Sequence, residues 1–183
     1  MGTWLETPGE ERELKNFLII RSVFPVPWSY TMNSLTKNIL INASAKKIWG
    51  ILADVTRTPE WVDGISESER TGAVREGKGM CWRESCVLDR QHIELENEMT
   101  VWDPIKKAVI QSKLPMNGSM TRTLVFIQKP EGVEVAAEFL WDLGIAGMLL
   151  GEQKVRNILD QSFENTLANW KDLAEKPELE TRY

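Results

Sequence analysis

His92-Ile-Glu-Leu-Glu-Asn-Glu-Met-Thr-Val101 sets the architecture of this chain. Ile93, Leu95, Asn97, Met99 and Val101 alternate with His92, Glu94, Glu96, Glu98 and Thr100. A strand sends successive side chains to opposite faces, so this period of two predicts a strand with one dry face and one wet, carboxylate-rich face. The period recurs in Val133, Val135, Ala137, Phe139 and Trp141 against Glu134, Glu138 and Asp142. Turn signals at Gly72, Gly77-Lys-Gly79, Asp89-Arg90, Asp103-Pro104, Pro115 to Gly118 and Pro130-Glu-Gly132 cut the region after Gly64 into strand-length segments. Connections this short join antiparallel neighbours, which predicts a meander.

Upstream, Leu35 to Asn42 reads as a first strand, and Ser44 is placed to cap a helix from Ala45 to Val55 with Ile48, Ile51, Leu52 and Val55 on one stripe. Thr58-Pro59 reads as a second helix start, Thr as cap and Pro in the first turn, leading to Gly64. Downstream, Val155, Leu159, Phe163, Leu167, Trp170 and Leu173 recur at three and four residues, predicting a long helix from Ile145 to Ala174 that Pro177 stops. A half-wet sheet must cover its dry face, and this helix is the one element long enough to do so. The expected fold is α+β: a curved antiparallel sheet of about six to seven strands wrapped around the C-terminal helix, two short helices after the first strand, and an apolar cavity between.

The chain has 183 residues, 42% hydrophobic and 27% charged, enough for one good-sized core. A net charge of -5 gives no basic footprint for nucleic acid. Apolar runs such as Phe17 to Ile20 and Gly144 to Gly151 fall short of the roughly 20 residues of a membrane span, and the N-terminus lacks a basic leader, so a cytoplasmic location is expected. Cys81 and Cys86, five residues apart on one strand, would lie about 16 Å apart on opposite faces, which excludes a disulfide between them. With one histidine, His92, the chain offers no zinc-type ligand set, and neither a metal nor a cofactor is expected. Residues 1–31 read as an extension, with helix-compatible spacing at Leu14, Phe17, Leu18 and Arg21 that Pro25 and Pro27 end. A lid, a dimerisation arm, a surface anchor and a packing extension stay open for it, as does Met32 as the true start of the chain. Residues 177–183 form a tail.

The order Ile41-Asn-Ala-Ser-Ala-Lys-Lys-Ile-Trp49, Thr58-Pro-Glu-Trp61, Gly77-Lys-Gly-Met-Cys-Trp-Arg-Glu84, Val101-Trp-Asp-Pro104, Val133 to Phe139 and Asn165-Thr-Leu-Ala-Asn-Trp-Lys-Asp-Leu173 resembles the polyketide cyclase/dehydrase group of the START-like (SRPBCC, helix-grip) superfamily. The likeness covers about residues 35 to 175 and makes 32–176 the START-like ligand-binding domain. It implies a helix-grip fold with a deep apolar cavity that opens near the two short helices. These are scaffold motifs, and the superfamily contains carriers, receptors and cyclases, so fold alone does not decide function.

Strand parity puts Met80, Trp82, Glu84, Cys86 and Leu88 on the drier side of the third strand, with Glu84 the odd one out. It either binds a polar ligand end, acts as acid or base, pairs with Arg122, or sits in water at the sheet edge. Arg122 shares parity with Met120, Leu124 and Phe126; it either holds a ligand oxygen or snorkels to solvent. Asn97 is the inward neutral polar residue. Expected ligand contacts are Trp61, Trp82, Glu84, Cys86, Leu95, Asn97, Met99, Arg122, Leu124, Val135, Phe139, Met148, Val155 and Leu159, with Glu84 and Arg122 the catalytic candidates. His92, Glu94, Glu96, Glu98 and Trp102 take outer parity and stay out of the cavity. No Gly-x-Ser-x-Gly elbow, dinucleotide loop or phosphate loop is present. Gly144, Gly147 and Gly151 read as packing or hinge positions at the helix start. The expected partner is a hydrophobic small molecule, a lipid, quinone or polyketide-like compound, bound or carried. A cyclase or dehydratase acting in the same cavity, and an interaction module with a filled cavity, remain the alternatives.

Overall fold

A computed structural model describes residues 33–88, 91–145 and 151–177. The expected extension 1–31, the expected turn at Asp89-Arg90, Gly147, Met148 and residues 178–183 lie outside the described residues, as does the side chain of Leu88.

Strand β1 (Asn33–Ile41) leads into helix α1 (Ala45–Ala53), where the Ser44 hydroxyl oxygen accepts from the Lys47 amide at 3.2 Å as the expected cap. The helix stops before Val55 because Asp54 leaves helical geometry and caps a second element, a 3-10 helix at Val55–Glu60. Its carboxylate accepts from the Thr56 hydroxyl at 2.6 Å and the Thr56 amide at 3.3 Å. Thr58 is therefore not the cap: it lies inside the 3-10 helix and donates its hydroxyl to the Val55 carbonyl at 2.7 Å. An acceptor at Asp54 meets the first free amides of the turn before Thr58 can.

Strands β2 (Ile65–Arg70), β3 (Cys81–Leu88), β4 (Gln91–Asp103), β5 (Lys107–Lys113), β6 (Ser119–Lys129) and β7 (Gly132–Asp142) complete a curved seven-stranded sheet in the order β1-β7-β6-β5-β4-β3-β2. Every pairing is antiparallel. The meander thus runs from β2 to β7, and β1 closes onto β7. On β4, Leu95, Asn97 and Met99 are buried while His92, Glu94, Glu96 and Glu98 are exposed, as the alternation requires.

The alternation fails at one point. Thr100 is an extra residue in β4: Met99 faces Ile110 and Val101 faces Val109. Such a bulge reverses parity beyond it. Val101, expected inside, is 39% exposed, and Trp102, expected outside, packs against the core with its ring 4.8 Å from that of Trp49.

The long helix α2 (Glu152–Glu175) starts after Ile145 because Gly151 takes φ 82 and ψ 120, a conformation that breaks any helix arriving from upstream. Gly144 has the packing role read for this stretch, but against a loop: a Cβ there would meet the Met116 carbonyl oxygen at 2.5 Å. Val155, Leu167, Trp170 and Ala174 of α2 are buried against the sheet. Trp170 lies 4.8 Å from Trp61 and 5.9 Å from Phe126, and Trp49 lies 5.1 Å from Phe126, so aromatic contacts join α2, the short helices and β6. Each such ring stabilises by about 1.5–3 kcal/mol through burial. Polar contacts fix the C-terminal half of α2: Lys171 Nζ donates to the Leu40 carbonyl at 2.8 Å and the Asn42 amide donates to Glu175 at 2.7 Å. Lys37 bridges to Asp160 at 2.9 Å.

Candidate ligand-binding cavity

Between the sheet and α2 the dry face is only partly filled. What remains is a cavity of about 450 Å³. Leu95, Ile110, Leu124 and Phe139 line it from the sheet, and Leu159 and Phe163 from α2. The segment Trp61–Ile65 forms another wall, and Asp63 fastens it to α2. The Asp63 amide donates to Thr166 Oγ1 at 3.0 Å, Ser162 Oγ donates to the Asp63 carbonyl at 3.2 Å, and Asn165 Nδ2 donates to the Asp63 carboxylate at 3.3 Å. Val87 and Gln161 are exposed wall residues, marking a side that meets solvent. A second hollow of about 510 Å³, lined in part by Arg83, Glu96, Glu98 and Lys113, lacks an apolar wall of this kind.

Of the residues expected to touch a ligand, Trp61, Cys86, Leu95, Arg122, Leu124, Phe139 and Leu159 do line the cavity. Trp82, Glu84, Asn97, Met99, Val135 and Val155 are buried and do not line this cavity, though Trp82 and Asn97 border the second hollow. Met148 lies outside the described residues. Trp82 is held back because its indole N–H turns to Glu84 Oε1 at 2.8 Å. Ile110, Met120, Leu143, Phe163 and Trp170 are further wall residues. Inward parity on β5 and β6 marks the first two, and the α2 stripe marks Phe163 and Trp170.

The polar candidates come together as one network across four neighbouring strands. Arg122 Nη2 on β6 donates to Asn97 Oδ1 at 2.8 Å, to Glu84 Oε2 at 3.3 Å and to Ser112 Oγ at 3.3 Å. Ser112 Oγ, which strand parity alone did not single out, donates to Asn97 Oδ1 at 2.6 Å. Glu84 is 1% exposed, and the Arg122 side chain 16%. Arg122 therefore does not snorkel to the outer surface, and Glu84 is neither at a wet edge nor alone. Arg122 is the only network member on the wall of this cavity; Asn97 and Ser112 border the second hollow instead, and buried Glu84 lines neither.

Cys86, on the wall beside this pair, has its thiol pushed up to about 11, by burial first and by the Glu84 carboxylate second, so it stays neutral. Glu138 takes outer parity on β7, opposite Thr36 and Thr123, and burial raises its carboxyl above the ordinary range. His92 is exposed on the outer face. Among the described residues, the buried side-chain polar atoms without a partner are Trp61 Nε1, Asn97 Nδ2, Arg122 Nε and Trp170 Nε1. All of them are donors. An unmade bond of this kind costs about 1–3 kcal/mol, so an unbalanced set of donors is a property of the site that needs a cause. Among the described residues no cluster of three or more His, Cys, Asp or Glu is arranged to hold a metal, and no helix is long and apolar enough to cross a membrane.

A curved antiparallel sheet gripping a C-terminal helix around an apolar cavity defines a helix-grip, START-like protein. Residues 32–175 match the sequence profile described as "Polyketide cyclase / dehydrase and lipid transport", and the chain belongs to that family. Among solved structures it is similar to the ZhuI aromatase/cyclase from Streptomyces sp. R1128, at 14% identity and TM-score 0.67 over 79% of this chain and 94% of that one. A protein from Thermus thermophilus matches at 18% identity and TM-score 0.63, over 78% of this chain and 97% of its own. The di-domain ARO/CYC BexL from the BE-7585A biosynthetic pathway matches at 20% identity and TM-score 0.64. That match covers 93% of this chain, which spans 57% of BexL. At these identities the likeness shows the fold. A search of curated sequences finds no significant match.

Proposed function

We propose that the protein binds or carries an apolar small molecule in the cavity between the sheet and α2, with Arg122 meeting its polar end. One observation carries this: an apolar space of about 450 Å³ in which Arg122 is the only cationic wall residue among those described. The volume lies within the roughly 300–1,000 Å³ of small-molecule sites, and it speaks against a cavity filled by the protein's own side chains. Family membership, whose description names both lipid transport and polyketide cyclisation, supports a hydrophobic partner.

Binding is favoured over a cyclase or dehydratase role by the state of the reactive groups. Both oxygens of Glu84 are already engaged, by Trp82 and by Arg122, and the Cys86 thiol stays protonated. A general base must reach the proton it removes, and Glu84 is not on the wall. The test is titration with N-phenyl-1-naphthylamine, a neutral apolar fluorophore, alongside mass spectrometry of organic extracts of the purified protein. The expected result is saturable fluorescence enhancement that Leu159→Trp, which places an indole in the cavity, abolishes while the fold persists by circular dichroism. Equal binding by this variant would refute the cavity as the site.

A further inference from the structure

The network behind Arg122 carries a statement about ligand class that volume alone does not. It rests on the cavity being a ligand site, as proposed above. We infer that Glu84 acts as a specificity filter: the cavity takes an apolar molecule ending in a neutral carbonyl-type acceptor and turns away the corresponding carboxylate.

The first support is charge. Among the described wall residues Arg122 is the sole cation, and Glu84 lies 3.3 Å from its Nη2. A guanidinium so paired presents donors but almost no net charge to a ligand. Asp63 belongs to the same wall and adds a carboxylate, not a cation. A carboxylate leaving water for this space would lose its hydration and gain no unpaired cation.

Donor bookkeeping gives the second support. Arg122 Nη2 is spent on Glu84, Asn97 and Ser112. Nη1 makes no hydrogen bond among the described residues and is absent from the buried unpartnered atoms, so it is the accessible end of the fork. Nε, Trp61 Nε1 and Trp170 Nε1, which belong to wall residues, are also unpartnered, and among the described residues no buried side-chain acceptor is. A site with surplus donors and a neutralised cation fits an uncharged oxygen: a ketone, quinone or ester carbonyl accepting from Nη1.

The experiment is displacement of N-phenyl-1-naphthylamine at neutral pH by a matched pair, 2-dodecanone and dodecanoate, from the full-length protein and from Glu84→Gln. Wild type should prefer the ketone. Glu84→Gln keeps an acceptor for Trp82 but frees the charge of Arg122, and should move the affinity ratio toward dodecanoate by about tenfold or more. Because the variant leaves a guanidinium without its partner, a second readout uses wild type alone: the carbonyl stretch of ¹³C=O-labelled 2-dodecanone should shift to lower frequency on binding, relative to hexane. If the fluorophore does not bind wild type at all, the ligand-site reading fails, and this inference with it. If the fluorophore binds but wild type prefers dodecanoate, or the ratio is unchanged in a folded Glu84→Gln, or the bound carbonyl shows no shift, the filter is overturned while the cavity stands.

Discussion

Replacing Arg122 by Met should be one of the most destabilising single changes in the sheet, and the geometry gives the reason. The guanidinium supplies three hydrogen bonds, to Asn97 at 2.8 Å and to Glu84 and Ser112 at 3.3 Å. Their loss is uneven. Asn97 Oδ1 keeps the Ser112 hydroxyl at 2.6 Å, and Glu84 Oε1 keeps the Trp82 indole at 2.8 Å. Only Glu84 Oε2 is orphaned, on a carboxylate that is 1% exposed, so the cost is that of an unpaired buried charge, about 3–5 kcal/mol. The reverse change, Glu84→Gln, should cost less, about 1–2 kcal/mol, because Arg122 opens on the cavity and water can reach it. The double variant should lose no more than Arg122→Met alone, giving a coupling of about 1–3 kcal/mol. Urea unfolding followed by tryptophan fluorescence, with the slope m checked for constancy, measures each arm. A loss below about 1 kcal/mol for Arg122→Met, or simple additivity of the two changes, would show that Glu84 is not sealed from water and would overturn this account of the network.

Three further outcomes follow from the same structure. Cys86, its thiol held near 11 against an ordinary 9.0, should react with iodoacetamide at pH 8 about a hundredfold more slowly than an ordinary thiol, through its smaller thiolate fraction, and more slowly than half-exposed Cys81; peptide mass spectrometry checks this, and equal rates at the two sites would contradict it. Glu138 has a raised carboxyl pKa, so its contribution to stability is full below the ordinary carboxyl pKa and is lost as pH rises through the elevated one. Glu138→Gln should therefore raise Tm at pH 7 and lose that advantage near pH 4; a lower Tm at pH 7 would mean that the Lys107 attraction outweighs burial. Gly151→Ala should cost about 1–3 kcal/mol although nothing lies within 4 Å of the added Cβ, because φ 82 is strained for any side chain; an unchanged unfolding midpoint would place the helix start elsewhere.

Much of the scaffold was legible because it is written in local periods. The alternation of β4 and β7, the Ser44 cap and the three-and-four spacing of α2 each depend on neighbours in the chain, and each is present. The errors fall where a single residue outbid a pattern. Asp54 captured the amides that Thr58 was expected to meet, and Thr100 added a residue that turned Trp102 inward and Val101 outward. Gly151 started α2 at Glu152 and not at the expected Ile145, since a stripe reports which face is dry and not where backbone dihedrals change. The wall was half legible for a similar reason. Parity separates inside from outside, but not a residue facing empty space, such as Leu124, from one packed tightly against a neighbour, such as Met99.

Local pattern was enough to specify an antiparallel meander with one dry face, a helix long enough to cover it, and the inward parity of Glu84, Asn97 and Arg122. What those three groups do was set by the packing of distant segments. Antiparallel register sets Trp82 opposite Asn97, Asn97 opposite Ser112 and Ile110 opposite Arg122, which brings residues up to 38 positions apart into one hydrogen-bonded cluster. Side-chain direction is local and can be read from a period of two. Register, the space left between a helix and a sheet, and the neutralisation of one charge by another arise between segments far apart in the chain, and no local pattern contains them.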